Sequence, residues 1–250
     1  MRPMEMDDEL DFFFDKIMDE KPFALVRWGD GEIKLLNKTH FHRNEVDIQN
    51  LRLWDFDSTD PHQLECAKRI TDSLYYEDEG LFCGIPCPSC PVCHISGMQY
   101  YELYKCKENL TYVGLFWNAN YEEFQRTFPY IVKDKNVVFI GNETANLNGL
   151  PFPITSHFKV GTNAWLNDYS IIEDLLDYLR NSAKKGTVFL FACGPLSCYL
   201  ITEMWKESKE HFLIDIGSAY DANLYNRPTR GYHSGKGGVF GKTCQWMKKV

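Results

Sequence analysis

Asp30 and Glu32 stand on either side of a single glycine in the stretch PFALVRWGDGEIKLL at residues 22–36. Two carboxylates so spaced can present several hard oxygen atoms to one divalent cation. Arg27, just upstream, is awkward in an apolar run unless it meets an anion, and Gly29 and Gly31 carry no Cβ to keep a phosphate away from the backbone. The chemistry these residues point to is a divalent metal with a diphosphate on it. The competing reading is an Asp-Gly turn with solvated acids and with Glu32 resting in a helix's first turn, and spacing alone does not decide between the two.

The elements that must position this pair are legible on both sides of it. Phe23, Ala24, Leu25 and Val26 form a short continuous apolar run, as in a strand buried on both faces, and an amphipathic helical stretch follows the turn. In open α/β sheets, ligands gather at the carboxyl ends of such strands. Three later turns share that placement. The run at residues 137–140 stops at Gly141-Asn142, a strand over 154–160 leads through Asn163 to a helix over about 168–184, and a buried strand over 188–192 ends at Gly194-Pro195 and a helix through Trp205. The last strand, over 212–216, holds Asp215. These turns could offer backbone N–H groups and amides to phosphate, ribose or base, although Gly at a strand end and Pro in a helix's first turn also occur for backbone reasons alone.

Elsewhere, Leu10, Phe13, Phe14, Ile17 and Met18 carry a helical spacing over residues 7–20. Further helices are expected over 61–76, 99–108 and 121–132, and strands from 81 and over 111–116. Buried strands alternating with helices predict an α/β fold with a mostly parallel sheet flanked by helices, and no linker or repeat divides the 250 residues, so a single domain over 1–250 is expected.

Composition narrows the function class. The chain is 44% hydrophobic and 15% aromatic, with a formal charge of -8 and a pI near 5.4. That balance argues against a nucleic-acid partner, which would ask for a basic footprint. The acidic N-terminus lacks the basic and apolar segments of a signal peptide, and no run is long enough to span a bilayer, so a cytoplasmic location is expected. Nine cysteines without a secretory signal read as reduced thiols. Cys83, Cys87, Cys90 and Cys93 crowd one Pro-rich loop with spacings that suit a structural Zn2+, although a merely cysteine-rich loop ranks ahead of it. The Gly-rich, basic segment from about 220 to 250 carries Arg227 and His233 and reads either as a frayed terminus or as a flexible lid over an anionic ligand.

RWGDGE after a buried strand, VVFIGN at mid-chain, Asn163-Ala164-Trp165 before a helix, FACGPLSCYL and FLIDIG occur in an order that resembles the GT-D-type glycosyltransferases, formerly a domain of unknown function, over roughly residues 20–225. The resemblance implies a Rossmann-like domain that binds a nucleotide-diphosphate sugar, commonly a UDP-sugar, with Mn2+ or Mg2+ held near Asp30 and Glu32. Arg27, Gly29, Gly31, Gly141, Asn142, Asn163, Gly194, Pro195, Asp215 and Arg227 are then the donor-side candidates, and a glycan or glycoconjugate is the acceptor. Where the family continues past Asp-Ile-Gly with a His and further acids, this chain has Ser218-Ala219-Tyr220-Asp221. Asp221 and His233 are the residues available to deprotonate an acceptor hydroxyl. A non-catalytic nucleotide- or metal-binding module with the same fold is the alternative from another class.

Overall fold

Seven strands form one all-parallel sheet in the computed structural model, which describes residues 6–40, 54–88 and 93–234. They are β1 (Phe23–Arg27), β2 (Leu81–Ile85), β3 (Leu110–Tyr112), β4 (Val137–Asn142), β5 (Ser156–Val160), β6 (Val188–Ala192) and β7 (Phe212–Asp215), in the spatial order β3-β2-β1-β7-β6-β4-β5. The continuous apolar runs became the inner strands, where both faces are covered. The outer positions went to three-residue β3 and to the more polar β5.

Successive side chains of a strand point to opposite faces, and β1 divides accordingly. Ala24 and Val26 join a core packed by α3 (Pro61–Leu74), α4 (His94–Leu103), α6 (Ala164–Asn167), α7 (Ile171–Asn181) and α8 (Leu196–Glu207). Phe23 and Leu25 join a second core on the other face, under α1 (Met6–Met18), α5 (Tyr121–Val132) and α9 (Asp221–Tyr225). The expected covering helix is α1, whose Phe13 ring lies 5.0 Å from Phe23 and 5.1 Å from Phe82. No helix of the described residues is long and apolar enough to cross a membrane.

Chain direction makes the crevice. β1 and β7 pair side by side, with Leu25 opposite Ile214, yet β1 runs on into α2 (Glu32–Leu36) and α3 on one face while β7 runs on into α9 on the other. Neighbouring strands whose connections part in this way leave a cleft at their carboxyl ends.

Two sequence expectations shift. Helix was expected over 99–108, but α4 ends at Leu103 because the Glu77 carboxylate takes the N–H groups of Lys105 at 2.6 Å and Cys106 at 2.7 Å. Strand was expected over 111–116, but β3 ends at Tyr112 and the chain folds into successive turns around Gly114, with Leu115 N–H donating to the Tyr112 carbonyl and Trp117 N–H to that of Gly114. The segment from Tyr220 as far as Ser234 is folded as α9 and a final helical turn at Gly231–Ser234; the rest of the basic tail lies outside the described residues.

Candidate functional site

Asp30 and Glu32 leave β1 at the mouth of this crevice, Asp30 exposed and Glu32 partly buried. Glu32 opens α2 and turns back so that its Oε2 accepts the Gly29 N–H at 2.9 Å. A carboxylate has about four acceptor positions, and this bond uses one. Protein crowds Glu32 although some of its surface stays open. Desolvation, with further pressure from the negative charges of Asp215 and Asp30, pushes its pKa up to about 7. Such crowding of acids is what a cation would relieve. Among the described residues, no group of three or more His, Cys, Asp or Glu side chains is arranged to hold a metal ion. Two carboxylates are fewer than an all-protein cage needs, so a hard divalent ion held here would have to take its other ligands from outside the protein's side chains.

Arg27 does not reach outward for an anion. It is 8% exposed, its Nη2 lies 3.4 Å from Asp215 Oδ1, its Nη1 donates to the Val113 carbonyl at 3.1 Å, and the guanidinium carbon sits 4.0 Å from the centre of the Trp117 ring. Asp215 also accepts the Gly217 N–H at 2.9 Å. Burial raises the Asp215 pKa, and Arg27 opposes that rise. Gly217, at φ +49°, has its missing Cβ position 2.1 Å from Arg27 Nη2, so the ion pair requires glycine there. The arginine thus ties the ends of β1 and β7 together, next to the acids.

The turn glycines have occupants of their own. A Cβ on Gly29 would lie 3.1 Å from Glu32 Oε2, one on Gly31 would lie 2.5 Å from Cζ2 of Trp54, and one on Gly141 would meet the Phe139 ring at 2.5 Å. Gly194 has φ +61° and would bring a Cβ to 3.3 Å from Trp54 Cδ1; Pro195 follows it as the cap of α8. Asn142 closes a local turn by accepting from the Thr144 N–H and hydroxyl, away from the acids on β4. Asn163, in the left-handed region, is paired twice with Asp55: its Oδ1 accepts the Asp55 N–H at 3.0 Å and its Nδ2 donates to Asp55 Oδ1 at 3.0 Å. Arg227 is exposed on the way to the final turn.

Asp221 and His233 are brought together, but through Thr229. Asp221 Oδ2 accepts from the Thr229 hydroxyl at 2.7 Å, while His233 Nδ1 accepts the N–H groups of Thr229 at 3.0 Å and Arg230 at 3.1 Å. An Nδ1 that accepts is unprotonated, so Nε2 carries the hydrogen and donates to the Ser218 carbonyl at 2.9 Å. With its Nδ1 lone pair engaged by both amides, His233 serves as a clasp in this structure. Burial raises the Asp221 pKa and lowers that of His233. Tyr232 completes the clasp by stacking on Trp117 at 5.9 Å and meeting the Ser218 hydroxyl at 2.6 Å.

Of the cysteine loop, Cys90 lies outside the described residues, Cys83 is wholly buried in the core within β2, Cys87 is buried and Cys93 is partly exposed. Burial raises the Cys83 thiol pKa.

Two residues escaped the sequence reading. Trp117 lies near the cleft over Arg27, and Trp54 over the acid turn; their only signal was indirect, in the glycines that make room for them.

No protein-family model matches the chain, and no curated protein matches it. Two solved structures share its fold. One is a selenomethionine-substituted structure of domain of unknown function 1792, 17% identical, with a TM-score of 0.56 over 90% of this chain and 82% of that one. The other, 18% identical with a TM-score of 0.54 over the same shares, describes that highly conserved domain as having a distinct glycosyltransferase fold.

Proposed function

We propose that this chain is a metal-dependent glycosyltransferase that takes its sugar from a nucleotide-diphosphate donor, with a UDP-sugar as the first choice, and passes it to a glycan or glycoconjugate. One observation carries the reading: an Asp-Gly-Glu pair stands at the parted ends of β1 and β7, with the Glu32 carboxylate pressed first by desolvation and then by the neighbouring acids. The shared fold supports it.

Asp30 and Glu32 would hold Mn2+ or Mg2+, and the Gly29 N–H would fix the orientation of Glu32. When bound, such an ion offsets charge on the diphosphate oxygens and stabilises the departing nucleotide. Arg27 works one step back, keeping Asp215 and the ends of β1 and β7 in register. The clasp packs Tyr232 against Trp117, which itself covers Arg27. A second reading, a nucleotide- or metal-binding module without turnover, draws support from the engagement of both Asp221 and His233 inside the clasp.

The test is UDP release from a panel of UDP-sugars, with and without Mn2+, by the wild-type chain and by Asp30→Ala with Glu32→Ala. Release that needs the metal and falls to background in the double variant is expected, and a glycosylated sugar acceptor separates transfer from donor hydrolysis. Binding of donor without release selects the module. A folded chain that neither binds nor turns over any of these nucleotide sugars sinks the transferase reading and leaves the non-catalytic module.

A further inference from the structure

One indole joins two of the cleft's turns. The benzo edge of Trp54 fills the place of a Gly31 side chain, with Cζ2 at 2.5 Å from the Cβ position, and its pyrrole edge lies by Gly194, with Cδ1 at 3.3 Å. Gly31 separates Asp30 from Glu32, so the ring abuts the turn that carries both acids. The backbone beside it is anchored: Asp55 is held twice by Asn163, and Phe56 is fully buried, its ring 5.8 Å from that of Trp165. Trp28, Trp165 and Trp205 are each no more than 2% exposed in the core of this face, whereas Trp54, edge-on to Trp165 at 6.0 Å, keeps part of its surface open. Two turns give up their side chains to seat a large aromatic that still shows solvent one residue from a carboxylate pair.

We propose that Trp54 is the aromatic wall of the donor cleft and stacks on a ring joined to the donor diphosphate, either its nucleobase or its sugar. This rests on the donor-site reading above and adds to it the residue that grips the neutral part of the donor. A diphosphate held at Asp30 and Glu32 carries one such ring at each end, and an indole offers a broad polarisable face to either.

The test uses the full chain with Mn2+. Affinities for UDP and for UDP-glucose are measured by calorimetry for wild type, Trp54→Phe and Trp54→Ala, and the fluorescence change at saturating ligand is recorded for the first two. Removing a stacked indole is expected to weaken binding about tenfold or more. Trp54→Phe, which keeps an aromatic face, should stay within about threefold of wild type, while losing most of the ligand-induced quenching. Weakened UDP binding by Trp54→Ala assigns the ring to the nucleoside, and a loss confined to UDP-glucose assigns it to the sugar. Wild-type affinity of Trp54→Ala for both ligands overturns the inference and leaves the donor site standing. Undiminished quenching in Trp54→Phe also overturns it, and that readout decides should Trp54→Ala fail to fold. A folded wild-type chain that binds no nucleotide or nucleotide sugar overturns the donor site and this inference together.

Discussion

Gly31 has backbone angles of φ -78° and ψ -52° at the cap of α2, a conformation open to any residue. An alanine there would suffer no backbone strain, and its only penalty would be the 2.5 Å approach of its Cβ to Trp54. Gly31→Ala is therefore expected to cost about 1–3 kcal/mol by overpacking, read as a fall in the urea midpoint. Combined with Trp54→Phe, which withdraws the clashing ring edge, the cost should shrink by more than about 0.5 kcal/mol, the mark of two coupled sites; additive costs would show that the indole is not what Gly31 accommodates. The acids at 30 and 32 were legible because their spacing and their place after an apolar run carry the signal by themselves. The use of the glycines was not, since a missing Cβ says only that something approaches. Sequence offers phosphate as the visitor, and the fold brings Trp54 from 23 positions downstream of Gly31. Arg27 shows the same gap: its charge asked for an anion, and Asp215, from the last strand, supplied one.

Elements whose pattern is long or wholly apolar were read correctly, because burial on both sides leaves a strand few alternatives. α1, α3, α5, β4 and β6 all fall close to their expected places. Those that shifted did so through distant partners. α4 stops before Lys105 because Glu77, on the far side of β2, accepts the next two N–H groups, and the alternating run after Leu110 turns at Gly114 because Arg27 claims the Val113 carbonyl. Glu77→Ala should therefore cost about 1 kcal/mol and speed amide exchange at Lys105 and Cys106, while exchange in β4 and β6 stays unchanged. Unaltered protection at those two amides would mean that the carboxylate is not what ends the helix.

At the scale of the whole chain, alternation of strands and helices announced a parallel α/β sheet, but not the insertion of β7 between β1 and β6, because strand order depends on pairings that no local pattern encodes. That insertion sets the cleft, and it places the segment after β7 where residues 218–234 fold back on Trp117 and Tyr121. The sequence left this segment between frayed end and lid. In the structure, His233 fixes it through a lone pair that accepts two N–H groups, and that bond pattern exists only while the imidazole is neutral. Its surroundings favour neutrality: burial lowers its pKa from the ordinary 6.5, the neighbouring positive charge of Arg230 lowers it further, and the Ser218 carbonyl opposes the drop. Asp221 is linked to Thr229, while Tyr121 and Tyr232 pack against the ring. A folded-state pKa below the unfolded one means that the unfolded chain binds more protons, so this contribution to stability is present near pH 7 and is lost as pH falls from about 6.5 through the folded value. Lowering the pH from 7 to 5 should raise amide exchange at Thr229 and Arg230, corrected for intrinsic rates, well before β4 and β6 respond. His233→Phe should leave both amides fast at every pH and remove the acid response. If the variant keeps them protected, or if they respond to acid just as in wild type, then another contact holds the clasp shut.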